Sequence, residues 1–179
     1  MVKLDAKQLR ITQAQEEEKK LLKKNPVYII IDNVLDTYNI GAIFRLADAL
    51  AAEKVYLCGQ TEIPPNHRIK KASINTTEWV MWEYSPSAVE AIKALRNTVA
   101  GITVVAVEQD KRSIPYDEFS YAFPLAVIVG HETHGITPEA LDEADCIVEL
   151  PMWGVNISLN VMVCLGIVLY EVGKGLKKQ

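Results

Sequence analysis

The stretch Val27-Tyr28-Ile29-Ile30-Ile31 is a continuous run of β-branched and aromatic residues. Such runs are typical of strands that a parallel sheet buries on both faces. A helix is predicted next, over about 40–51, because Ile40, Ile43, Ala47 and Leu50 recur at helical spacing. The alternation of strands and helices continues, which predicts an α/β fold with a mostly parallel sheet and helices on both faces. The further strands are predicted at 54–57, 80–84, 102–107, 125–129 and 146–150, and the further helices at about 87–99, 138–144 and 158–173.

The chain has 179 residues, of which 49% are hydrophobic, as expected for one domain with a single core. Residues 1–24 contain no Gly or Pro and carry seven Lys or Arg against four Asp or Glu. This composition predicts a basic extension that forms one helix over 4–24, with a thin apolar face, and Asn25-Pro26 ends the helix. We therefore expect an N-terminal extension at 1–24 and one α/β domain at 25–179.

The cysteines and histidines argue against disulfides and metal sites. Cys58, Cys146 and Cys164 are widely spaced among apolar residues, as is typical of reduced thiols in a cytoplasmic protein. His131 and His134 are three residues apart, but no further ligand of matching type follows, so no metal is expected. No membrane association is expected either, because the start of the chain lacks a long apolar run and the run at 161–170 is too short for a bilayer.

Three polar stretches lie where a predicted strand gives way to a helix, at 39–45, 130–135 and 151–160. Ligands of α/β proteins bind at such junctions. A glycine-rich dinucleotide fingerprint, a P-loop and a G-x-S-x-G turn are all absent from the sequence. The common nucleotide-binding and serine-hydrolase explanations are therefore disfavoured.

Taken singly, each stretch also has a purely structural interpretation. Asn39 and Ser158 could each cap the helix that follows. Arg45 could pair with Asp48 on the surface of its helix, and the glycines could simply make turns.

Taken together, the stretches resemble the motifs of the SpoU (TrmH-like) branch of the SPOUT superfamily, the knotted RNA 2′-O-ribose methyltransferases. The similarity spans about Val27 to Val172, with the motifs in the family's order. Asn75 stands where family members commonly carry Gly, and Met162 and Cys164 stand where smaller residues are common. The motifs read Asn39-x-Gly41-x-x-x-Arg45, Gly130-x-Glu132-x-x-Gly135-Ile136 and Pro151-Met152-x-Gly154-x-x-x-Ser158-Leu159-Asn160-Val161.

The resemblance implies a SPOUT fold with a deep C-terminal trefoil knot, formed by threading about 146–172 through the loop around 130–135. It also implies S-adenosylmethionine as the cofactor, held by the knot loops, and a homodimer joined partly by the last helix. The residues support the dimer independently, because the helix predicted at 158–173 is apolar nearly all round and must be buried on more than one side.

The resemblance carries catalytic roles to Arg45, Asn39, Glu132, Ser158 and Asn160. A guanidinium stays protonated, so Arg45 is poorly suited to act as a base. It is better suited to clamp a phosphate beside the target ribose and to stabilise the alkoxide that develops there. Activation of the ribose 2′-hydroxyl by Arg45 stays open as an alternative. The three neutral side chains would orient the ribose and the cofactor, and Glu132 would accept bonds from Arg45, Asn39 or backbone amides. The residues expected to hold the cofactor are Val129, Gly130, Leu150, Met152, Gly154, Ser158 and Leu159.

RNA is the expected partner, although the formal net charge is −4. A local basic face is enough to bind phosphates. We expect tRNA sooner than rRNA, because the chain is compact and lacks the separate N-terminal RNA-binding domain of many rRNA-specific members. The expected contacts are Lys19, Lys20, Lys23, Lys24, Arg68, Lys70 and Lys71.

Two other functions stay open at this point. A catalytically inactive RNA-binding relative would keep the fold without turnover. A small-molecule α/β enzyme would use 130–135 as a phosphate loop, and it would leave the third motif unexplained.

Overall fold

The computed structural model describes residues 3–12 and 16–176. Within this part of the chain, seven strands form one sheet in which every pair is parallel. They are β1 (Asn25–Asp32), β2 (Ala52–Cys58), β3 (Trp82–Ser85), β4 (Thr103–Val107), β5 (Ile114–Pro115), β6 (Leu125–Gly130) and β7 (Cys146–Glu149). The spatial order is β3-β2-β1-β6-β4-β7-β5. The α/β prediction is confirmed; the short edge strand β5 was not predicted, because two residues carry no periodic signal.

The helices lie on both faces of the sheet. They are α1 (Ala6–Ile11), α2 (Glu16–Leu21), α3 (Thr37–Ala49), α4 (His67–Ser73), α5 (Ala88–Thr98), α6 (Pro138–Asp142) and α7 (Val161–Leu176), with a 3₁₀ turn at Thr76–Glu78. Helices α3, α4 and α7 pack on one face, and α5 and α6 pack on the other.

Strand β1 shows why its sequence is continuously apolar. Ile29 and Ile31 are fully buried in the core beneath α3 and α7, whereas Ile30, also fully buried, belongs to the core beneath α5 and α6. Successive side chains of a strand point to opposite faces, so a central strand with helices on both sides needs apolar residues at every position.

The structure differs most from the prediction in three places. Helix α4 and the 3₁₀ turn were not predicted, because the sequence of 59–77 shows no clear periodicity. The single helix predicted over 4–24 is wrong, because α1 ends at Ile11 and the backbone of the next residue, Thr12, is extended at φ −83° and ψ 125°. Helix α7 begins at Val161, three residues after the predicted start.

Asn75 connects the N-terminal extension to the domain. Its backbone is left-handed, at φ 68°, a conformation that Asn tolerates better than most residues. Its Nδ2 donates to the carbonyl oxygens of Leu9 and Thr12, at 3.2 Å each. Asn75 therefore adopts the left-handed backbone conformation and also holds the end of α1.

Residues 3–12 and 16–176 contain neither a helix that could span a membrane nor a cluster of metal ligands. None of their helices combines the length and apolar character needed to cross a membrane. No group of three or more His, Cys, Asp or Glu side chains lies close enough together to hold a metal ion. The three cysteines are unpaired, and burial, with a contribution from the charge of Asp32, raises the pKa of Cys58 to about 12.

Candidate active site

The three polar stretches meet beyond the carboxyl ends of the central strands. One residue from each stretch joins a chain of side-chain hydrogen bonds. Asn160 Nδ2 donates to Asn39 Oδ1 at 2.9 Å, and Asn39 Nδ2 donates to Glu132 Oε1 at 2.9 Å. Both polar atoms of the Asn39 amide are used, which fixes the orientation of the amide plane.

Asn39 lies in the first turn of α3, where it is buried. The helix-capping interpretation of Asn39 is wrong, because Asp36 is the N-cap and its carboxylate accepts from Tyr38 N at 2.8 Å. Asp36 satisfies the end of the helix, which leaves the Asn39 side chain available for Glu132 and Asn160.

Gly41 allows α4 to pack closely against α3. A Cβ at this position would lie 2.5 Å from Ala72 Cβ and 2.8 Å from the backbone oxygen of Ile69. These separations are too short for real atoms, so the first motif needs glycine here for packing.

Asn160, not Ser158, starts α7. Asn160 Oδ1 accepts from Met162 N at 2.9 Å and from Val163 N at 3.4 Å, which is the geometry of an N-cap. The capping role predicted for Ser158 is therefore wrong; this residue is exposed and lines the cleft described below. One Asn160 amide thus both starts the helix and donates to Asn39.

Glu132 is held in its charged form. Its carboxylate accepts from Leu35 N at 3.3 Å and Asp36 N at 3.1 Å, besides Asn39. Burial raises the pKa of Glu132, but the hydrogen bonds from Asn39 and from the backbone outweigh that effect and leave the pKa below its ordinary value. Arg45 does not contact Glu132 in the described part of the chain.

The second motif is a closed turn. His131 N donates to Gly135 O at 3.0 Å, and Gly135 N donates to His131 O at 2.9 Å. Gly135 has φ 70°, and a Cβ on Gly130 would collide with the backbone of Gly135 and Ile136. Both glycines are needed for the turn to fold back on the end of β6.

A cleft of about 290 Å³ lies between this turn and the segment that connects β7 to α7. Gly154 is exposed and does not line it. Glu108, Glu132 and Glu149 are the acidic residues of its lining, and no Lys or Arg of the described residues lines the cleft. Six of the residues expected to hold the cofactor do line it: Val129, Gly130, Leu150, Met152, Ser158 and Leu159.

Several lining residues were missed from the sequence. Glu108 and Gln109 directly follow β4, and Glu149 ends β7, so the same strand-end logic that selected the motifs could have found them. Glu108 Oε2 accepts from Ile136 N at 2.9 Å and supports the turn of the second motif. Gln109 Nε2 donates to Ile157 O at 2.6 Å and holds the segment before α7.

Arg45 lies apart from the cleft of its own chain. It is exposed on α3, and among the described residues it has no hydrogen bond or ion pair, so the predicted pairing with Asp48 is not formed. Asp48 instead lies near Lys24, which partly offsets the rise that burial causes in the pKa of Asp48.

The expected RNA contacts have different surroundings. Arg68, Lys70 and Lys71 are exposed on α4, and Lys23 is also exposed. Burial lowers the pKa of Lys24, against the opposing effect of Asp48 and of Glu53. Lys19 lines a second cleft beside α4, and the side chain of Lys20 lies outside what the structure describes.

Comparison with known proteins places this geometry in a family. The profile of the SpoU rRNA Methylase family matches residues 26–170. The tRNA (guanosine(18)-2'-O)-methyltransferase of Aquifex aeolicus is 32% identical over 155 residues, covering 83% of this chain and 69% of the relative. The enzyme of the same name from Thermus thermophilus is 30% identical, covering 86% of this chain and 78% of its own length.

Solved structures agree with the sequence comparison. The A. aeolicus TrmH/SpoU tRNA modifying enzyme superposes with a TM-score of 0.78 at 28% identity, covering 97% of this chain and 83% of the other. An AdoMet-bound rRNA methyltransferase from Sinorhizobium meliloti superposes with a TM-score of 0.78 at 27% identity, covering 94% of this chain and 60% of the other.

Proposed function

The chain belongs to the SpoU rRNA Methylase family, and from that premise we propose that it transfers a methyl group from S-adenosylmethionine to a ribose 2′-hydroxyl of RNA. The observation that carries the proposal is the Glu132–Asn39–Asn160 chain of hydrogen bonds beside a cleft with three carboxylates. Two relatives of at least 30% identity are named as tRNA ribose methyltransferases, and we therefore propose tRNA as the substrate.

The cleft suits this cofactor in charge and shape. When bound, S-adenosylmethionine supplies an electrophilic methyl group on a cationic sulfur. Glu108, Glu132 and Glu149 give the cleft the opposite charge, while Val129 and Leu150 offer apolar walls. The same charge argues against the alternative of a phosphate loop at 130–135, because three carboxylates would repel a phosphate.

The side chains that meet beside the cleft have roles in positioning. Asn160 and Asn39 hold each other, and Glu132 fixes Asn39 from the other side, so the amides keep one orientation while the substrate binds. Ser158 is exposed at the cleft and can donate to a ligand oxygen. Arg45, which has no other partner among the described residues, would clamp a phosphate beside the target ribose and stabilise the developing alkoxide.

We also propose a homodimer formed through α7. Leu165, Val168, Leu169 and Val172 are buried within the chain, but the other side of the helix leaves Val163 39% and Tyr170 63% exposed. Further apolar residues are exposed at the start of α3, the helix that packs against α7, and in the segment before α7: Leu35, Tyr38, Trp153, Val155, Ile157 and Leu159. Exposed apolar surface on this scale is typical of protein interfaces.

The dimer would also explain the position of Arg45. Helix α3 packs against α7, so a second copy seated on this face lies next to the exposed guanidinium. We therefore propose that Arg45 serves the cleft of the other subunit.

RNA would bind along α4. Arg68, Lys70 and Lys71 are exposed together on this short helix, which Ile69 anchors in the core. The N-terminal extension at 1–24 contributes Lys23, and Lys19 lines the cleft beside α4. We propose a cytoplasmic location, where tRNA is available and the three unpaired cysteines stay reduced.

The trefoil knot expected at 146–172 is also proposed, on the basis of family membership. Pulling the chain by its two ends in an optical trap tests it. A knotted chain stops short of its full contour length because residues stay trapped in the tightened knot, whereas full extension would contradict the knot.

Activity is tested directly with labelled S-adenosylmethionine and separate pools of tRNA and rRNA. We expect label in tRNA as a methyl group on a ribose 2′-oxygen, which makes the adjacent 3′ phosphodiester resistant to alkaline hydrolysis. Cofactor binding without label in either RNA would favour the inactive RNA-binding relative, and label in rRNA alone would overturn the choice of tRNA.

A further inference from the structure

The side chain of His131 forms hydrogen bonds inside the turn at 131–135. The turn at 131–135 is closed by the two backbone hydrogen bonds between His131 and Gly135. Inside it, the ring nitrogen Nδ1 of His131 accepts from Thr133 N at 2.9 Å and from His134 N at 3.3 Å. The imidazole thus satisfies two amides that would otherwise have no partner in the turn.

These hydrogen bonds require one particular neutral tautomer of the His131 imidazole. A nitrogen that accepts from N–H groups carries no proton, so neutral His131 must carry its proton on Nε2. A second proton can go only to Nδ1, where it would face two amide hydrogens and remove their acceptor. The charged form of His131 is therefore incompatible with the turn as it stands.

The turn connects His131 to both halves of the site. Glu132, the next residue, reaches out to Asn39 and to the amides of Leu35 and Asp36. On the other side the turn forms one wall of the cleft, which His131 itself lines. Opening of the turn would change the cleft wall and release the carboxylate that fixes Asn39.

We infer that His131 is a positioning residue that couples binding of S-adenosylmethionine to its own protonation through the turn at 131–135. The inference rests on the proposed function, because it assigns the cofactor to this cleft. The other titratable groups that surround it are His134, whose ring centroid lies 4.5 Å away, Glu132 on the same turn, Glu108 after β4, Glu149 at the end of β7 and Cys164 on α7. Burial raises the pKa of Cys164, so its thiol stays neutral.

The experiment compares affinity for S-adenosylmethionine, by calorimetry on the full chain, at about pH 7.5 and about pH 5.5, the range over which histidine changes charge. We expect affinity to fall about tenfold at the lower pH, the size of effect expected when backbone amides lose their acceptor. His131→Asn supplies an acceptor that does not titrate, so this variant should bind with little dependence on pH. His131→Ala supplies none and should bind weakly at both pH values.

His134→Asn is the matched control. It removes the neighbouring imidazole and leaves Nδ1 of His131 in place, so the dependence on pH should persist. A pH dependence that survives in His131→Asn, or that disappears in His134→Asn, would overturn the inference and leave the proposed function intact. Absence of binding by the unmodified protein at either pH would instead overturn the proposed function.

A second measurement does not depend on the variants. Long-range ¹H–¹⁵N spectra of the imidazoles distinguish the two neutral forms of the ring. We expect His131 to show an unprotonated Nδ1 and a protonated Nε2 near neutral pH. A proton on Nδ1 would overturn the inference even if affinity depended on pH.

Discussion

Single residues in the site link stability to pH, and Glu132 shows the sign of the effect. Burial alone would raise the pKa of its carboxyl, but hydrogen bonds from Asn39 and backbone amides lower it below the ordinary value. The stabilisation is therefore complete above the pKa of the unfolded chain, about 4.3 for glutamate. It is lost as the pH falls through the lower pKa of the folded chain.

The matching variant is Glu132→Gln, which cannot titrate at this position. We expect the free energy of unfolding, measured with urea, to be larger in the parent near neutral pH. The difference between parent and variant should shrink below about pH 4.3. Parallel pH profiles for the two proteins would contradict the assignment of these bonds to the charged carboxylate.

Substitution of Arg45 tests its proposed role in methyl transfer. Arg45→Ala should lower kcat by roughly 10²- to 10³-fold, as does the loss of one group that stabilises a developing oxyanion. Affinity for S-adenosylmethionine should stay within about twofold of the parent, because the proposed partners of Arg45 are the RNA phosphate and the developing alkoxide, not the cofactor. Arg45→Lys keeps the positive charge but loses the two parallel N–H donors of the guanidinium. Its kcat should therefore lie between that of the parent and that of Arg45→Ala. Full turnover by Arg45→Ala would remove Arg45 from the mechanism.

The sequence predicted which polar residues matter better than it predicted their local roles. Asn39, Glu132 and Asn160 were selected and do meet, yet the helix caps are Asp36 and Asn160 instead of Asn39 and Ser158. Several residues of the same type lie within a turn of each helix start, and only coordinates show which side chain reaches the free amides. Gly154 was selected through its motif, but its segment projects from the chain.

At the scale of elements, two helical glycines with different surroundings form a matched pair. Gly41→Ala in α3 would press a methyl group into Ala72 and the backbone of α4, and it should destabilise the fold by about 1–3 kcal/mol. Gly173→Ala in α7 meets nothing within 4 Å and should stabilise its helix by about 0.5–1 kcal/mol. Thermal unfolding measures both changes, and a stabilising Gly41→Ala would contradict the close contact of α3 with α4.

Long apolar elements were predicted well, and short ones were not. Strands such as β1 and β6 are buried on both faces of the sheet, so their sequences contain continuous apolar runs that are easily recognised. Helix α4 has only seven residues and buries only Ile69 and Ser73, so its sequence carries almost no periodic signal. Thr12 ends α1 where propensity alone would continue the helix, because Asn75 holds the carbonyl groups of Leu9 and Thr12.

At the scale of the whole molecule, mixed dimers test whether Arg45 serves the other subunit. Arg45→Ala and Asn160→Ala should each inactivate the homodimer. In a mixed dimer of the two variants, one site would combine both substitutions and the other would contain neither. We expect methyl transfer to recover in the mixed dimer, measured with labelled S-adenosylmethionine and tRNA. No recovery, in a preparation shown by mass spectrometry to contain mixed dimers, would place Arg45 at the site of its own chain.

The sheet separates two layers of helices, α3, α4 and α7 on one face and α5 and α6 on the other. Helix α3, which carries Asn39 and Arg45, lies on the same face of the sheet as α4 and as α7, the helix proposed for dimerisation. Helices α5 and α6 pack on the opposite face, and none of the residues proposed for catalysis or RNA binding belongs to them. A fluorophore or surface tether could therefore be attached at the exposed Lys93 of α5. It would leave the face with α3, α4 and α7 unobstructed for single-molecule observation.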